Sequence, residues 1–144
     1  MEKDQIIEVA CAIICMDEKF LVTQRSEKMA LPLKWEFPGG KLHKNETAEN
    51  CIEREIKEEL NIKIKVVKRI RNSLFNYGGF SINLIPFIAE YVSGDIFLLE
   101  HKQFKWLNDN ELTTLDWAEA DIPVLNDFLN FKHAKRGDLR ADYK

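Results

Sequence analysis

The chain has 144 residues, of which 45% are hydrophobic and 31% charged, and its formal net charge is −3. That length is one domain's worth, and the apolar share is enough for a real core. The mildly acidic balance argues against a general binder of nucleic-acid polymers or membrane surfaces, and no apolar run approaches the length of a membrane span.

No signal peptide is read at the N-terminus. Residues 6–16 are apolar on both alternating faces, with Val9, Cys11, Ile13 and Cys15 on one and Ala10, Ala12, Ile14 and Met16 on the other. This predicts a central strand buried on both sides. Asp17-Glu18 predicts a turn, and 20–25 the returning strand of a hairpin. Residues 26–33 read as a loop flanked by Lys28 and Lys34. Trp35-Glu36-Phe37-Pro38-Gly39-Gly40 then reads as a rigid turn with close backbone approach. Trp35 and Phe37 suit core packing.

The next stretch carries the chemistry. Ala48, Ile52, Ile56 and Leu60 recur every four residues with Cys51 beside them, the stripe of an amphipathic helix. Thr47 suits its N-cap and Asn61 its left-handed end. On this helix Glu55, Glu58 and Glu59 stand at i, i+3 and i+4, so their side chains are expected to converge on one patch. Like charges at that spacing repel, and a bridging cation removes the cost. Hard oxygen donors without a nearby His or Cys cluster favour Mg2+, with Mn2+ as a substitute, over zinc. Glu46 lies in the entry loop, and Arg54 beside the patch can lock a carboxylate with its fork of donors.

Beyond the helix, 62–71 alternates as a strand and Tyr77-Gly78-Gly79 signals a turn. Residues 80–91 form a long apolar run that predicts a strand, with Pro86 implying a bulge or an edge position. Ser93-Gly94-Asp95 turns again, 100–107 reads as a strand and 108–112 as a short helical turn. A final amphipathic helix is expected over 122–135, with Pro123 in its first turn and Val124, Leu125, Phe128, Leu129 and Phe131 on its apolar side. Residues 136–144 have no apolar periodicity and read as a loose tail behind a single domain spanning 1–135. The three cysteines, Cys11, Cys15 and Cys51, are odd in number and sit in apolar elements. They read as buried thiols of a reducing, cytoplasmic compartment. The element order predicts an α/β fold with a mixed sheet covered by a helix on each face.

The run Gly40-x5-Glu46-x7-Arg54-Glu55-Ile56-Lys57-Glu58-Glu59-Leu60-Asn61-Ile62 resembles the Nudix box. Asn61 stands where that family usually has glycine, and Asn is the next best residue for the backbone conformation required. The preceding KWEFPGGK resembles the MutT-like branch, and Ala-Asp-Ile-Pro at 120–123 resembles the CTP pyrophosphohydrolase subgroup. The resemblance implies an α/β/α sandwich and a metal-dependent hydrolase of nucleoside diphosphate linkages. It implies that Glu55, Glu58, Glu59 and the Gly39 carbonyl ligate metal, with Glu46 as a supporting acid. Glu100, six residues before Trp106, matches a downstream family glutamate that binds metal or acts as base, and whether Glu55 or Glu100 takes the proton stays open. Arg25, Lys41, Phe37 and Asp121 are implied to touch the nucleotide. Asp121 replaces the Asn of MutT and suits an exocyclic amine such as that of cytosine. As a residue type it also suits a helix N-cap, and one residue can serve both.

The expected activity is hydrolysis of a nucleoside triphosphate to the monophosphate and pyrophosphate. CTP, dCTP or modified forms lead, 8-oxo-dGTP is second, and a sanitising role in the nucleotide pool follows by resemblance. The rivals are hydrolysis of another derivative, such as ADP-ribose or a dinucleotide polyphosphate, and a Nudix module that senses a nucleotide without cleaving it. The protein is expected to act as a monomer or homodimer.

Overall fold

The sheet is built around its first strand. The computed structural model describes residues 5–138. In it β1 (Gln5–Met16) has Ala10 to Ile14 buried without a break. Its even residues Ala10, Ala12 and Ile14 join one core cluster, and Cys11 and Ile13 join the other. Two apolar faces on one strand require a layer on each side, and two helices supply them.

On one edge β1 runs parallel to β7 (Phe80–Ser93), in register from Gln5 opposite Phe80 to Cys15 opposite Glu90. On the other edge it is antiparallel to two strands in succession. Near its end it meets β2 (Lys19–Gln24) through a hairpin whose turn residues Asp17 and Glu18 both have positive φ. Nearer its start it meets β4 (Gly39–Lys41), with Cys11 opposite Gly39. β2 is flanked by β3 (Trp35–Glu36) and β8 (Gln103–Leu107). β5 (Lys63–Arg69) and β6 (Ser73–Asn76) share the outer edge of β7.

Helix α1 (Ala48–Leu60) begins as predicted, with the Thr47 side chain accepting the Asn50 amide, and ends at Asn61 with φ 64°. It buries Ala48, Cys51, Ile52, Ile56 and Leu60 against the even face of β1. Each large aliphatic side chain buried here contributes about 1.5–3 kcal/mol. The short α2 (Asp109–Leu112) carries a capping box between Asn108 and Glu111. Helix α3 (Asp121–Asp138) covers the opposite face with Val124, Leu125 and Phe128. The fold is thus a mixed sheet between helices, as the Nudix resemblance implied.

Five local expectations are corrected. The 35–41 stretch forms the strands β3 and β4 as well as a turn, because its backbone pairs with β2 and β1. β6 was not foreseen; it is held by β7, not by any pattern of its own. Pro86 is not on an edge strand. Its carbonyl accepts the Ile70 amide, so its missing N–H faces the gap where β5 hands over to β6. The strand predicted over 100–107 begins at Gln103, leaving Glu100 and His101 in the preceding loop. Helix α3 continues to Asp138, past the expected start of the tail, and the rest of that tail lies outside the described residues. Among the described residues no helix is long and apolar enough to cross a membrane.

Candidate active site

A cavity of ≈ 360 Å3 opens beside α1, bordered by β1, the 25–31 loop and the start of α3. Its acidic part is lined by Glu55, Glu59 and Glu100 together with Gly39, Gly40 and Lys41. The two glycines do different work. A Cβ on Gly39 would stand 1.9 Å from the Ala10 carbonyl oxygen, so the absence of a side chain lets β4 lie on β1. A Cβ on Gly40 would stand 2.0 Å from Glu55 Oε1, so here it lets a carboxylate lie against the backbone. Cys51 ties the helix to the same strand, its Sγ 3.6 Å from the Gly40 carbonyl and 3.4 Å from that of Lys41. Burial pushes this thiol up to about 11, so it stays protonated and structural.

Arg54 is the hub of the outer flank. Its Nε donates to Glu46 Oε2 at 2.7 Å and its Nη2 to Glu46 Oε1 at 3.0 Å, a two-pronged grip. Its Nη1 donates to Glu55 Oε2 at 2.7 Å and to Glu58 Oε1 at 3.3 Å. The Arg54 guanidinium, then the amide of His43, hold the Glu46 carboxyl down at about 2.

Glu59 stands in the opposite situation. Burial first, then the charge of Glu100, raises its carboxyl above the ordinary value. Glu55 and Glu36 add to the crowding. His101 offsets it in part, with Nδ1 3.9 Å from Glu59 Oε1. The other ring nitrogen, Nε2, lies 2.7 Å from Glu36 Oε2, and Glu36 Oε1 accepts Arg25 Nη1 at 2.9 Å.

The aromatic part of the cavity is lined by Phe37, Tyr77, Phe80 and Asp121. Phe37 packs on Trp117 with ring centroids 4.7 Å apart, so it serves core and cavity together. Tyr77 stacks on Phe80 at 5.5 Å and accepts the Ala120 amide through its hydroxyl. Asp121 is 5% exposed and its Oδ2 accepts the Phe37 amide at 2.9 Å. Burial, then the charge of Glu36, raises its carboxyl well above the ordinary range.

The structure therefore brings Gly39, Lys41, Glu55, Glu59, Glu100, Arg25, Phe37 and Asp121 around one cavity. Glu46 and Glu58 are absent from its lining. The expected convergence of Glu55, Glu58 and Glu59 is corrected. Arg54 is the nearest cation and draws Glu55 and Glu58 to itself, and the Glu58 side chain is 57% exposed. The Asp121 side chain reaches across to Phe37 rather than capping its own helix. Glu36, His101 and Tyr77 were missed. Glu36 sat inside the KWEFPGGK stretch and His101 beside Glu100, but no local spacing foretells that they meet.

Among the described residues no group of three or more His, Cys, Asp and Glu side chains is gathered tightly enough to hold a metal ion as it stands. The donor set still fits a hard dication. Glu55, Glu59 and Glu100 and the backbone of Gly39 and Gly40 supply oxygen only, and Glu59, raised first by burial, also feels the negative charge of Glu100, Glu55 and Glu36.

The family profile of the NUDIX domain matches residues 6–128. The CTP pyrophosphohydrolase of Escherichia coli K12 is 31% identical over 134 residues, covering 93% of this chain and 99% of that protein. An 8-oxo-dGTP diphosphatase of Buchnera aphidicola subsp. Schizaphis graminum is 29% identical over 83% of this chain and 90% of its own. Among solved structures, the MutT protein of methicillin-resistant Staphylococcus aureus 252, a Nudix hydrolase, is 41% identical. It covers 89% of this chain and 98% of its own, with a TM-score of 0.73.

Proposed function

The chain belongs to the Nudix family of hydrolases acting on acid anhydrides, and on that premise we propose a Mg2+-dependent nucleoside triphosphate pyrophosphohydrolase with CTP, dCTP or a modified form as substrate. Water attacks the internal phosphorus, and the products are the monophosphate and pyrophosphate. The observation that carries this reading is one cavity joining a carboxylate cluster to an aromatic pocket that holds a buried aspartate. The name of the E. coli relative, CTP pyrophosphohydrolase, points the same way.

Glu55, Glu59, Glu100 and the Gly39 carbonyl are the metal ligands in this reading. Glu58 would join them on leaving its exposed contact with Arg54. When bound, Mg2+ neutralises the phosphate oxygens and lowers the pKa of water. Glu55 or Glu100 takes the proton of the attacking water. Glu46 and Arg54 form the strut that holds Glu55 in place. Arg25 and Lys41 pair with the phosphates or sugar, and Phe37 borders the base. Asp121 keeps one oxygen on the Phe37 amide and offers the other to the exocyclic amine of cytosine.

The second reading is 8-oxo-dGTP. It is favoured by the 8-oxo-dGTP diphosphatases among the relatives, such as that of Buchnera aphidicola. A panel of canonical, methylated and oxidised nucleoside triphosphates with Mg2+ tests both, read as pyrophosphate against orthophosphate. Cytidine triphosphates are expected to turn over fastest with pyrophosphate released. Orthophosphate alone contradicts the cleavage position, and an untouched panel removes the proposal.

A further inference from the structure

One imidazole joins the two parts of the cavity. The His101 side chain is 4% exposed, wedged between the carboxylates of Glu36 and Glu59. Its backbone is pinned on both sides: the Leu99 amide donates to the Glu59 carbonyl, and the Lys102 amide to the Gln24 carbonyl. A carboxylate without a proton only accepts, so Nε2 carries the hydrogen in the 2.7 Å contact with Glu36. Through Glu36 that contact reaches Arg25. The other nitrogen, Nδ1, is buried and has no hydrogen-bond partner among the described residues. It lies 3.9 Å from Glu59 Oε1, just beyond bonding length. An unpartnered buried nitrogen is unfavourable and is kept only where something offsets it.

Resting on the reading that Glu59 serves the diphosphate and Arg25 the nucleotide, we propose that His101 is a positioning residue bracing both parts of the site. Nε2 fixes Glu36 and, through it, Arg25. Nδ1 faces Glu59 and sets where that carboxylate stands. His101 touches neither phosphate nor base. It makes the geometry of one part of the cavity depend on the other.

Two isosteric changes separate the halves of the ring. His101→Gln places an amide nitrogen near the position of Nε2, and His101→Asn places one near Nδ1. Binding is read directly, with Mn2+ alone by electron paramagnetic resonance and with α,β-methylene-CTP at saturating Mg2+ by calorimetry. Turnover of CTP is followed in parallel. His101→Gln is expected to keep nucleotide affinity within about twofold while Mn2+ binding weakens roughly tenfold and kcat falls. His101→Asn is expected to do the reverse, with Mn2+ affinity near wild type and KM raised roughly tenfold. Gln and Asn variants that behave alike, whether both intact or equally impaired, reduce His101 to packing and overturn the proposal.

Circular dichroism melts report folding. If a variant fails to fold, Glu36→Gln replaces it. That change should weaken the nucleotide and spare Mn2+, and equal loss of both also overturns the proposal. A wild type that binds both probes yet leaves CTP and 8-oxo-dGTP whole sinks the proposed reaction alone, because the contrast between the variants is read from binding. A wild type that binds neither probe overturns both.

Discussion

The two flanks of α1 carry the same kind of side chain in opposite electrostatic states. On the outer flank Arg54 gathers Glu46, Glu55 and Glu58, and Glu46 falls to about 2. On the inner flank Glu59 stands among Glu100, Glu55 and Glu36, and its carboxyl is raised. Negative charge is bonded to a guanidinium where the helix is strapped to its entry loop. It is left in surplus where the cavity opens. Glu55 belongs to both, held by Arg54 from outside and facing the cavity within. On the proposed reading, the carboxylates that face the cavity are the ones that hold the metal.

The largest expected effect tests the inner flank. Glu59→Gln should lower kcat about 10³-fold, measured by pyrophosphate release, while the melting temperature holds or rises because an uncompensated charge is gone. A loss under tenfold would erase the distinction between the flanks.

The glycines sharpen it next. Gly40→Ala forces the Glu55 carboxylate aside and should cost about 10²-fold in turnover with little change in melting. Gly39→Ala meets main chain instead and should destabilise the fold by about 1–3 kcal/mol. Urea melts of both, set beside turnover, decide whether neighbouring glycines divide activity from stability.

Titration gives a smaller but direct reading. By carboxyl 13C NMR, Glu46 should titrate near 2 and Glu59 above the ordinary value of 4.5. The signs differ. The depressed Glu46 contributes stability that is present above the unfolded value and lost as pH falls toward 2. The raised Glu59 favours the folded state below the unfolded value, and that contribution is lost as pH rises through its folded one. Coincident titrations would abolish the contrast.

The smallest effect is a control at the far end of the same helix. Asn61→Ala puts a residue less tolerant of the left-handed conformation at φ 64°, removes the side-chain donor to the Asp95 carbonyl, and should cost about 1 kcal/mol without altering kcat. A matching fall in activity would mean that helix stability, not charge, governs the site.

What could be read beforehand followed the range of the interactions. The α1 stripe, its Thr47 cap and its Asn61 terminus depend on residues a turn apart, and sequence spacing captures them. The two-faced character of β1 was equally plain, since burial on both sides leaves no polar alternation. The strands β3, β4 and β6 are short and are held by partners far along the chain, so nothing within them announces a strand. The same holds in the site. The glutamates of α1 were visible through helical periodicity, but their sorting between Arg54 and His101 depends on contacts between α1, the entry loop, β3 and the loop before β8. The expected convergence failed at Glu58 because the nearest guanidinium competed for it.

The parallel ladder of β1 with β7 has a consequence for how this protein is made. It aligns Gln5 with Phe80 and Cys15 with Glu90, so its halves leave the ribosome far apart in time. β1 therefore waits, with the hydrogen-bonding edge that faces β7 open, until the second half of the chain has been synthesised. Closing so long a loop is slow, and refolding should be paced by this late docking rather than by the early hairpin or the helix.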